Sequence, residues 1–535
     1  MKKEWFQWVC YALLVVGIMM ATSAISVAAS DTEKAKKTEN TENETVYTVD
    51  FQDPEVQNVI KRCKYARVEG DTLFVEVPKE EGMITAMIPI SLESLNEEFR
   101  GHFVVVEADF CFSDIPKPVK TYYGAKFQFN LPGNSADDCW PSLQKRPAGQ
   151  DQWGTMDWTH SKSQAGWGEN VTNPHLELGI QGANGHFAIK NIRLRRGHQV
   201  PASIFTQENV PQAQYTVQQL PRMRGVMSPS TVNGPREEDF AEIEKWGGNL
   251  IRWQMGLGDL RDAKQARELL WKRFDQMAEV LEMANRHHLF VVLDVHTMSG
   301  SRPVILGTPE GRDVLVEFWQ ETARRFKGHP NLFGYNLMNE PVSRDIEPGG
   351  PSLNEQYHRL IAAIREIDPR RPIIVDCDGA GNAEYMEFME VFPYKNIIYS
   401  PHFYKPFELT HQLNTNQETY LSYPNPEHGW DKEFLRKQME PIIKFQELTG
   451  ARIYVAEFSC IRWAPGSEQF IADCIELFEE YGWDWSYHAF REWQGWDVEY
   501  TGKPNKPERT EEMTPRKEVL LNGFRANRMR GRMMR

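Results

Sequence analysis

Eight short apolar runs recur after Pro221, and amphipathic stretches follow nearly all of them. The runs are "RGVMSP", "NLIRWQM", "LFVVLDVHT", "NLFGYNLMNEP", "PIIVDCDG", "NIIYSPHFY", "RIYVAEFSC" and "WDWSYHAF". Between them lie segments such as residues 268–288, where Leu270, Phe274, Met277, Leu281 and Ala284 share one helical stripe. A strand followed by a helix returns to its sheet in parallel. Eight such units over roughly 300 residues fit a closed (β/α)8 barrel, the TIM barrel, better than an open sheet. In that fold every strand points its C-terminal end at one face, so polar residues at strand ends meet there.

Upstream the pattern differs. From about 47 to 198 the chain has short runs of alternating character, including "DTLFVEVP", "HFVVVEADFCF", "AKFQFNLPG", "HLELGIQG" and "GHFAIKNIRLRR". Period-two alternation with Gly, Pro and Asn punctuation predicts an all-β sandwich preceding the barrel. Residues 199–220, rich in Pro and Gln without a clear period, read as a linker, and 221–527 as the barrel domain. The charged, Asn/Thr-rich stretch 30–46 reads as a disordered spacer. Residues 528–535 close a basic tail, "RANRMRGRMMR". The start of the chain has two lysines, an apolar run from Val9 to about Ala24 and small residues around Ala29, which predicts a signal peptide over 1–29. Export to the extracellular space or periplasm follows, with no integral membrane segment in the mature chain.

The 535 residues carry a net charge of −14, which argues against a nucleic-acid partner, because phosphate binding needs clustered Lys and Arg. Without Cys10, which lies in the apolar leader, six cysteines remain, and their spacings match no metal motif. They are either buried thiols or disulfides.

Strand two ends near Arg252, strand three near His296, strand four at Asn339 and Glu340, strand six at His402 and Tyr404, and strand seven at Glu457. Any one of these has a bland structural reading. Five of eight strands carrying a titratable group at the same end do not. Two carboxylates, Glu340 and Glu457, would face each other across one barrel mouth, and paired carboxylates flanking a bond are what glycoside hydrolysis needs. Arg252 and Tyr404 are available to hold Glu457 ionised, leaving Glu340 to carry a proton, with His402 against it. Asp294, Asp376 and Asp378 also lie near strand ends and compete for these roles; Asp376 and Asp378 flank Cys377 on strand five and are either a structural turn or part of a sugar subsite. Tyr404, Trp463, Trp493 and Trp496 offer flat faces for pyranose rings. The chain has no HExxH, no phosphate-binding loop and no GxSxG elbow, which removes zinc peptidases, nucleotide hydrolases and α/β-hydrolase esterases.

"GYNLMNEP" resembles the acid/base signature of glycoside hydrolase family 5, the cellulase family of (β/α)8 barrels with strand-four and strand-seven glutamates. "NLIRWQM", "VVLDVHT", "SPHFY" and "YVAEFS" resemble its strand-two Arg, strand-three His, strand-six His-x-Tyr and nucleophile strand. The resemblance covers roughly residues 221–527. It implies a retaining β-glycosidase acting on a β-glucan, cellulose or β-mannan, with Glu340 as acid/base and Glu457 as nucleophile. Arg252, His296, Asn339, His402 and Tyr404 support them, and no metal or cofactor is implied. The family usually ends strand eight on Trp. Here His488 stands at that position with Trp493 five residues on, so either Trp493 takes the platform role or the subsite is built differently. The closing strand of the N-terminal region resembles jelly-roll carbohydrate-binding modules. Trp140, Trp153, Trp158 and Trp167 cluster upstream of it and either bind sugar or pack a loop. The alternatives to hydrolysis are a non-catalytic glycan-binding barrel and a transglycosylase using the same residues. The chain is expected to act as a monomer.

Overall fold

The computed structural model describes residues 46–116, 124–132, 149–160, 167–168, 171–199, 202–216, 221–227, 234–347, 350–413, 415 and 419–531. The expected signal peptide, nearly all of the spacer, Trp140 and residues 532–535 of the basic tail lie outside them. Among the described residues no helix is long and apolar enough to cross a membrane. The chain divides into two compact units, one of residues 1–201 with 348–350, the other of 202–347 with 351–535.

The second unit is a closed parallel barrel. Its strands are β1 (Arg224–Met227), β2 (Leu250–Gln254), β3 (Phe290–Asp294), β4 (Leu332–Asn336), β5 (Ile373–Asp376), β6 (Ile397–Ser400), β7 (Arg452–Phe458) and β8 (Asp484–Tyr487). Each pairs in parallel with its sequence neighbours, and β1 pairs with β8 to close the ring. These are the eight apolar runs. They read as continuous rather than alternating because both faces are covered. One face meets the barrel interior, where Met223, Leu250, Val292, Phe333, Ile374, Ile398, Tyr454 and Ala456 pack together. The other meets the surrounding helices in a larger core. Gly225 marks the tightest strand approach, since a Cβ there would lie 1.9 Å from the Leu250 carbonyl oxygen.

The helices follow local signals. Asp262 caps Ala263–Trp271, and Ser352 with Glu355 forms a capping box at Leu353–Arg365. The stripe expected over 268–288 is buried as a stripe, but the helix breaks at Lys272 into Ala263–Trp271 and Arg273–Arg286. Strand β5 is followed by a short turn and the 3₁₀ segment Ala383–Phe388 rather than by a long helix.

The stretch expected as a linker behaves differently where it is described. The Ala213 amide donates to the Thr449 carbonyl at 2.8 Å, the Tyr215 hydroxyl to the Ile397 carbonyl at 2.7 Å, and the Thr216 amide to Asn396 Oδ1 at 2.8 Å. These residues are part of the barrel unit. An extended segment held by backbone and single side-chain bonds has no apolar period, which is why its composition reads as a free connection. The basic tail likewise begins inside a helix, Pro515–Gly531.

Among its described residues the first unit contains two antiparallel sheets, one of six strands and one of three. Its expected runs form the strands Thr72–Val77, His102–Ser113, Gly124–Asn130, His175–Ala183 and Gly185–Gln199. Apolar side chains of both sheets, including Val75, Val106, Phe110 and Ile189 with Ile88, Phe127, Phe129 and Leu178, share one core. Trp167 belongs to that core. It is fully buried, packs against Phe99 and Phe129, and donates its indole N–H to Asn96. Trp153 is exposed. Among the described residues Cys63, Cys111, Cys377, Cys460 and Cys474 are free thiols.

Candidate active site

Parallel register places strand ends side by side. Gln254 of β2 stands beside Asp294 of β3, and Asp294 beside Asn336 of β4. After Pro401 the chain of β6 pairs once more with β7, setting His402 beside Glu457. The groups at this level form one network.

Glu457 is nearly buried, and its two oxygens are fully engaged. Arg252 Nη1 donates to Oε1 at 2.6 Å, and the Tyr404 hydroxyl donates to Oε2 at 2.9 Å. His488 Nδ1 lies 3.2 Å and His402 Nδ1 3.6 Å from Oε2. Burial by itself would push this carboxyl up; His402, His488 and Arg252 outweigh it and hold the carboxyl well below the usual carboxylate range. The same attraction works in reverse on the histidines. Burial would lower His402, but Glu457 and Asp376 raise it to about 10. Burial would lower His488, but Glu492 and Glu457 raise it to about 10.

Arg252 is fully buried and serves as the hub. Besides Glu457 it donates from Nε to Asn336 Oδ1 at 2.9 Å and from Nη2 to Asn339 Oδ1 at 2.8 Å, with Asp294 at 3.2 Å and Asp376 at 3.7 Å. Asn339 is pinned further by its own amide donating to the Thr297 carbonyl at 3.1 Å. His296 Nδ1 faces Asp294 Oδ2 at 2.8 Å and so reaches Glu457 only through Asp294 and Arg252.

Glu340 sits opposite, at the end of the β4 segment. Its side chain is 28% exposed against 4% for Glu457, so one carboxyl is open to solvent and the other is not. Its backbone is left-handed, φ 47°, and its amide donates to Asp376 Oδ2 at 3.1 Å. His402 Nδ1 reaches Glu340 Oε1 at 3.1 Å, while His402 Nε2 lies 3.3 Å from Asp376, close enough for an ion pair but poorly aligned for a hydrogen bond. One oxygen of Glu340, one ring nitrogen of His402 and one oxygen of Glu457 all lie within 4.8 Å of one another. That spacing could grip a cation, but the charges oppose it: Arg252 and the two protonated histidines already neutralise Glu457, and His402 would have to give up a tightly held proton.

Eight of the nine residues expected from the sequence stand in this network: Arg252, His296, Asn339, Glu340, His402, Tyr404, Glu457 and His488. His488, not Trp493, occupies the end of β8. Trp493 lies in the following loop, edge-on to Trp463 and Trp496, and the Trp496 ring packs beneath Tyr404 and His488. Gln254, Asn336 and Glu492 were not expected from the sequence, and Asp294 and Asp376 were expected only as acids near strand ends. Gln254 was findable, because it lies two residues from Arg252 on the same strand face. Glu492, 3.4 Å from His488 Nε2 and bonded by Gln254 Nε2 at 2.6 Å, comes from an irregular loop with no such signal.

A family model described as Cellulase (glycosyl hydrolase family 5) matches residues 210–493. Endoglucanase C of Acetivibrio thermocellus is 26% identical over 309 residues, covering 51% of this chain and 87% of that protein. A beta-xylosidase of Phanerodontia chrysosporium is 26% identical over 187 residues, 32% of this chain and 38% of its own. Among solved structures, endoglucanase Cel5A from the hyperthermophilic Thermotoga maritima is 21% identical, covers 56% of this chain and 96% of that one, and has a TM-score of 0.45. The family model spans more than half of the sequence, and on that match the chain belongs to the cellulase family, glycosyl hydrolase family 5.

Proposed function

We propose that this chain is a secreted, retaining β-glycoside hydrolase that cuts inside a β-linked polysaccharide of the glucan or mannan type. The observation that carries the reading is the approach of Glu340 and Glu457, with one oxygen of each within 4.8 Å. Retaining enzymes hold their two carboxyls about 5–5.5 Å apart, and inverting enzymes need about 6.5–9.5 Å to admit a water between them. The names of relatives such as Endoglucanase C support a glucan substrate.

Glu457, held ionised, attacks the anomeric carbon. The bond from that carbon to the glycosidic oxygen breaks, and Glu340 gives its proton to the departing oxygen. A glycosyl ester on Glu457 and a new hydroxyl on the released sugar result. Glu340, now a carboxylate, takes a proton from water as the water oxygen attacks the same carbon, and the ester bond to Glu457 breaks. Two inversions leave the original configuration. The two glutamates supply both proton and nucleophile, so the reading calls for no cofactor. Asn339, held by Arg252, is aimed to bond a sugar 2-hydroxyl, and Trp463 and Trp493 are half-buried faces on which further rings can stack.

The N-terminal unit fits this role as a jelly-roll carbohydrate-binding module, with Trp153 as its exposed aromatic; Trp167, being core, is excluded. The test is trapping with a 2-deoxy-2-fluoro-β-cellobiosyl fluoride, which slows the second step. Peptide mass should place the label on Glu457. A label elsewhere refutes the mechanism. A wild type as inert as Glu457→Gln on a broad glycan panel favours a non-catalytic glycan-binding protein, and elongated products at high acceptor concentration favour a transglycosylase.

A further inference from the structure

The end of strand β5 grips the four residues Glu340 to Ser343. Asp376 Oδ2 accepts the Glu340 amide at 3.1 Å. The Ala380 amide donates to the Pro341 carbonyl at 3.0 Å. Asp378 accepts the Ser343 amide at 2.9 Å with one oxygen and the Ser343 hydroxyl with the other. Both aspartates are buried, Asp376 completely.

Asp376 also faces the other partner of Glu340. Its Oδ2 lies 3.3 Å from His402 Nε2, and the opposite ring nitrogen of that histidine reaches the Glu340 carboxyl. Its Oδ1 accepts Asn336 Nδ2 at 2.9 Å, which prevents the carboxylate from turning away. The loop beyond it winds through three left-handed residues, Gly379, Ala380 and Gly381, and a Cβ on Gly381 would fall 2.7 Å from His402 Cγ. The backbone of this loop therefore packs directly on the His402 ring. A left-handed φ at a residue other than glycine persists only where the surroundings over-determine it. At Glu340 those surroundings are the β5 end.

We propose that Asp376 is a positioning residue for proton donation: it sets the Glu340 backbone and the His402 ring so that the Glu340 carboxyl meets the leaving oxygen. This rests on the reading of Glu340 as the acid. The competing role is a plain counter-charge for buried Arg252, 3.7 Å away. That role would act on Glu457 and on stability, and its loss would slow all substrates alike.

Leaving-group dependence separates the two. Asp376→Asn keeps the volume but puts an amide nitrogen where one oxygen accepted. The readout is kcat/KM on aryl β-cellobiosides running from dinitrophenyl, which departs without a proton, to poorly acidic phenols, with Glu340→Ala alongside. A small misplacement of a catalytic group costs up to about a hundredfold, so Asp376→Asn is expected to lose about tenfold to a hundredfold on the poor phenols and far less on dinitrophenyl. Equal loss across the series, or none, overturns the proposal. Should Glu340→Ala itself lose equally on good and poor leaving groups, the acid reading fails and takes this inference with it. Selective loss in Glu340→Ala with a flat series in Asp376→Asn removes the inference alone. If Asp376→Asn does not fold, Ser343→Ala carries the test, since it removes only the hydroxyl that ties this segment to Asp378. It should steepen the same dependence by a smaller amount, and an unchanged slope counts against the role.

Discussion

Arg252→Met removes a guanidinium that three buried carboxylates share, Glu457 at 2.6 Å, Asp294 at 3.2 Å and Asp376 at 3.7 Å. Each carboxylate is left differently supplied. Glu457 keeps Tyr404, His488 and His402, and Asp376 keeps Asn336 and His402. Asp294 keeps His296, and among the described residues its Oδ1 has no hydrogen-bond partner to fall back on. Stripping one partner from a buried ion pair costs about 3–5 kcal/mol, and the partial support that remains places this variant near the middle, about 4 kcal/mol at pH 7. For a unit of this size that is a drop in Tm of about 6 °C. The pH dependence has a definite sign. Glu457 and Asp376 are depressed in the folded state, so they stabilise it above the unfolded carboxylate value of about 4, and lose that contribution as pH falls through their folded values. Without the guanidinium those folded values rise. The penalty is then full at pH 7 and shrinks once the pH falls below the raised folded values of the variant. Thermal melting of wild type and variant at pH 7 and pH 4.5 measures both effects. A Tm at pH 7 indistinguishable from wild type, or a loss that grows as the pH falls, would refute the electrostatic account.

Three further perturbations probe other parts of the molecule. Glu457→Ala should abolish turnover, and added azide or formate should restore part of it on an activated aryl glycoside, azide giving an α-glycosyl azide; no rescue and no such product would exclude Glu457 as nucleophile. His488→Gln removes a cation 3.2 Å from Glu457, which favours the protonated carboxyl, so the acid limb of kcat/KM should move upward by about one pH unit; an unmoved limb would mean that His488 does not tune this group. Trp153→Ala removes an exposed ring over which Lys190 Nζ sits at 4.7 Å, and should weaken retention on insoluble cellulose while leaving hydrolysis of a soluble substrate unchanged; unchanged retention would remove Trp153 from the sugar-binding face.

Much of the barrel is written locally. A strand covered on both faces is a continuous apolar run such as "FVVLD", and a helix between sheet and solvent is a stripe such as Phe274, Met277 and Leu281. Each pattern depends on a few consecutive residues, so the chain alone carries it. The candidate site was legible for a related reason. Parallel strands all end on one face, so Arg252, His296, Glu340, His402 and Glu457 could be gathered by position along their strands without knowing their distances.

What the sequence could not decide depends on who stands opposite. Residues 202–216 look like a free connection because a backbone bond to Thr449 and a single side-chain bond to Ile397 leave no period behind. Asp376 could have been a turn residue; only the neighbouring strand and the left-handed Glu340 show that its oxygens meet an amide and an imidazole. Whether Trp493 or His488 ends β8 was equally open, because an irregular loop obeys no repeat. Periodicity is a property of neighbours along the chain and survives in the one-dimensional string. Register, loop path and the charge that surrounds a buried carboxylate are set by residues hundreds of positions apart, and they exist only once the barrel has closed.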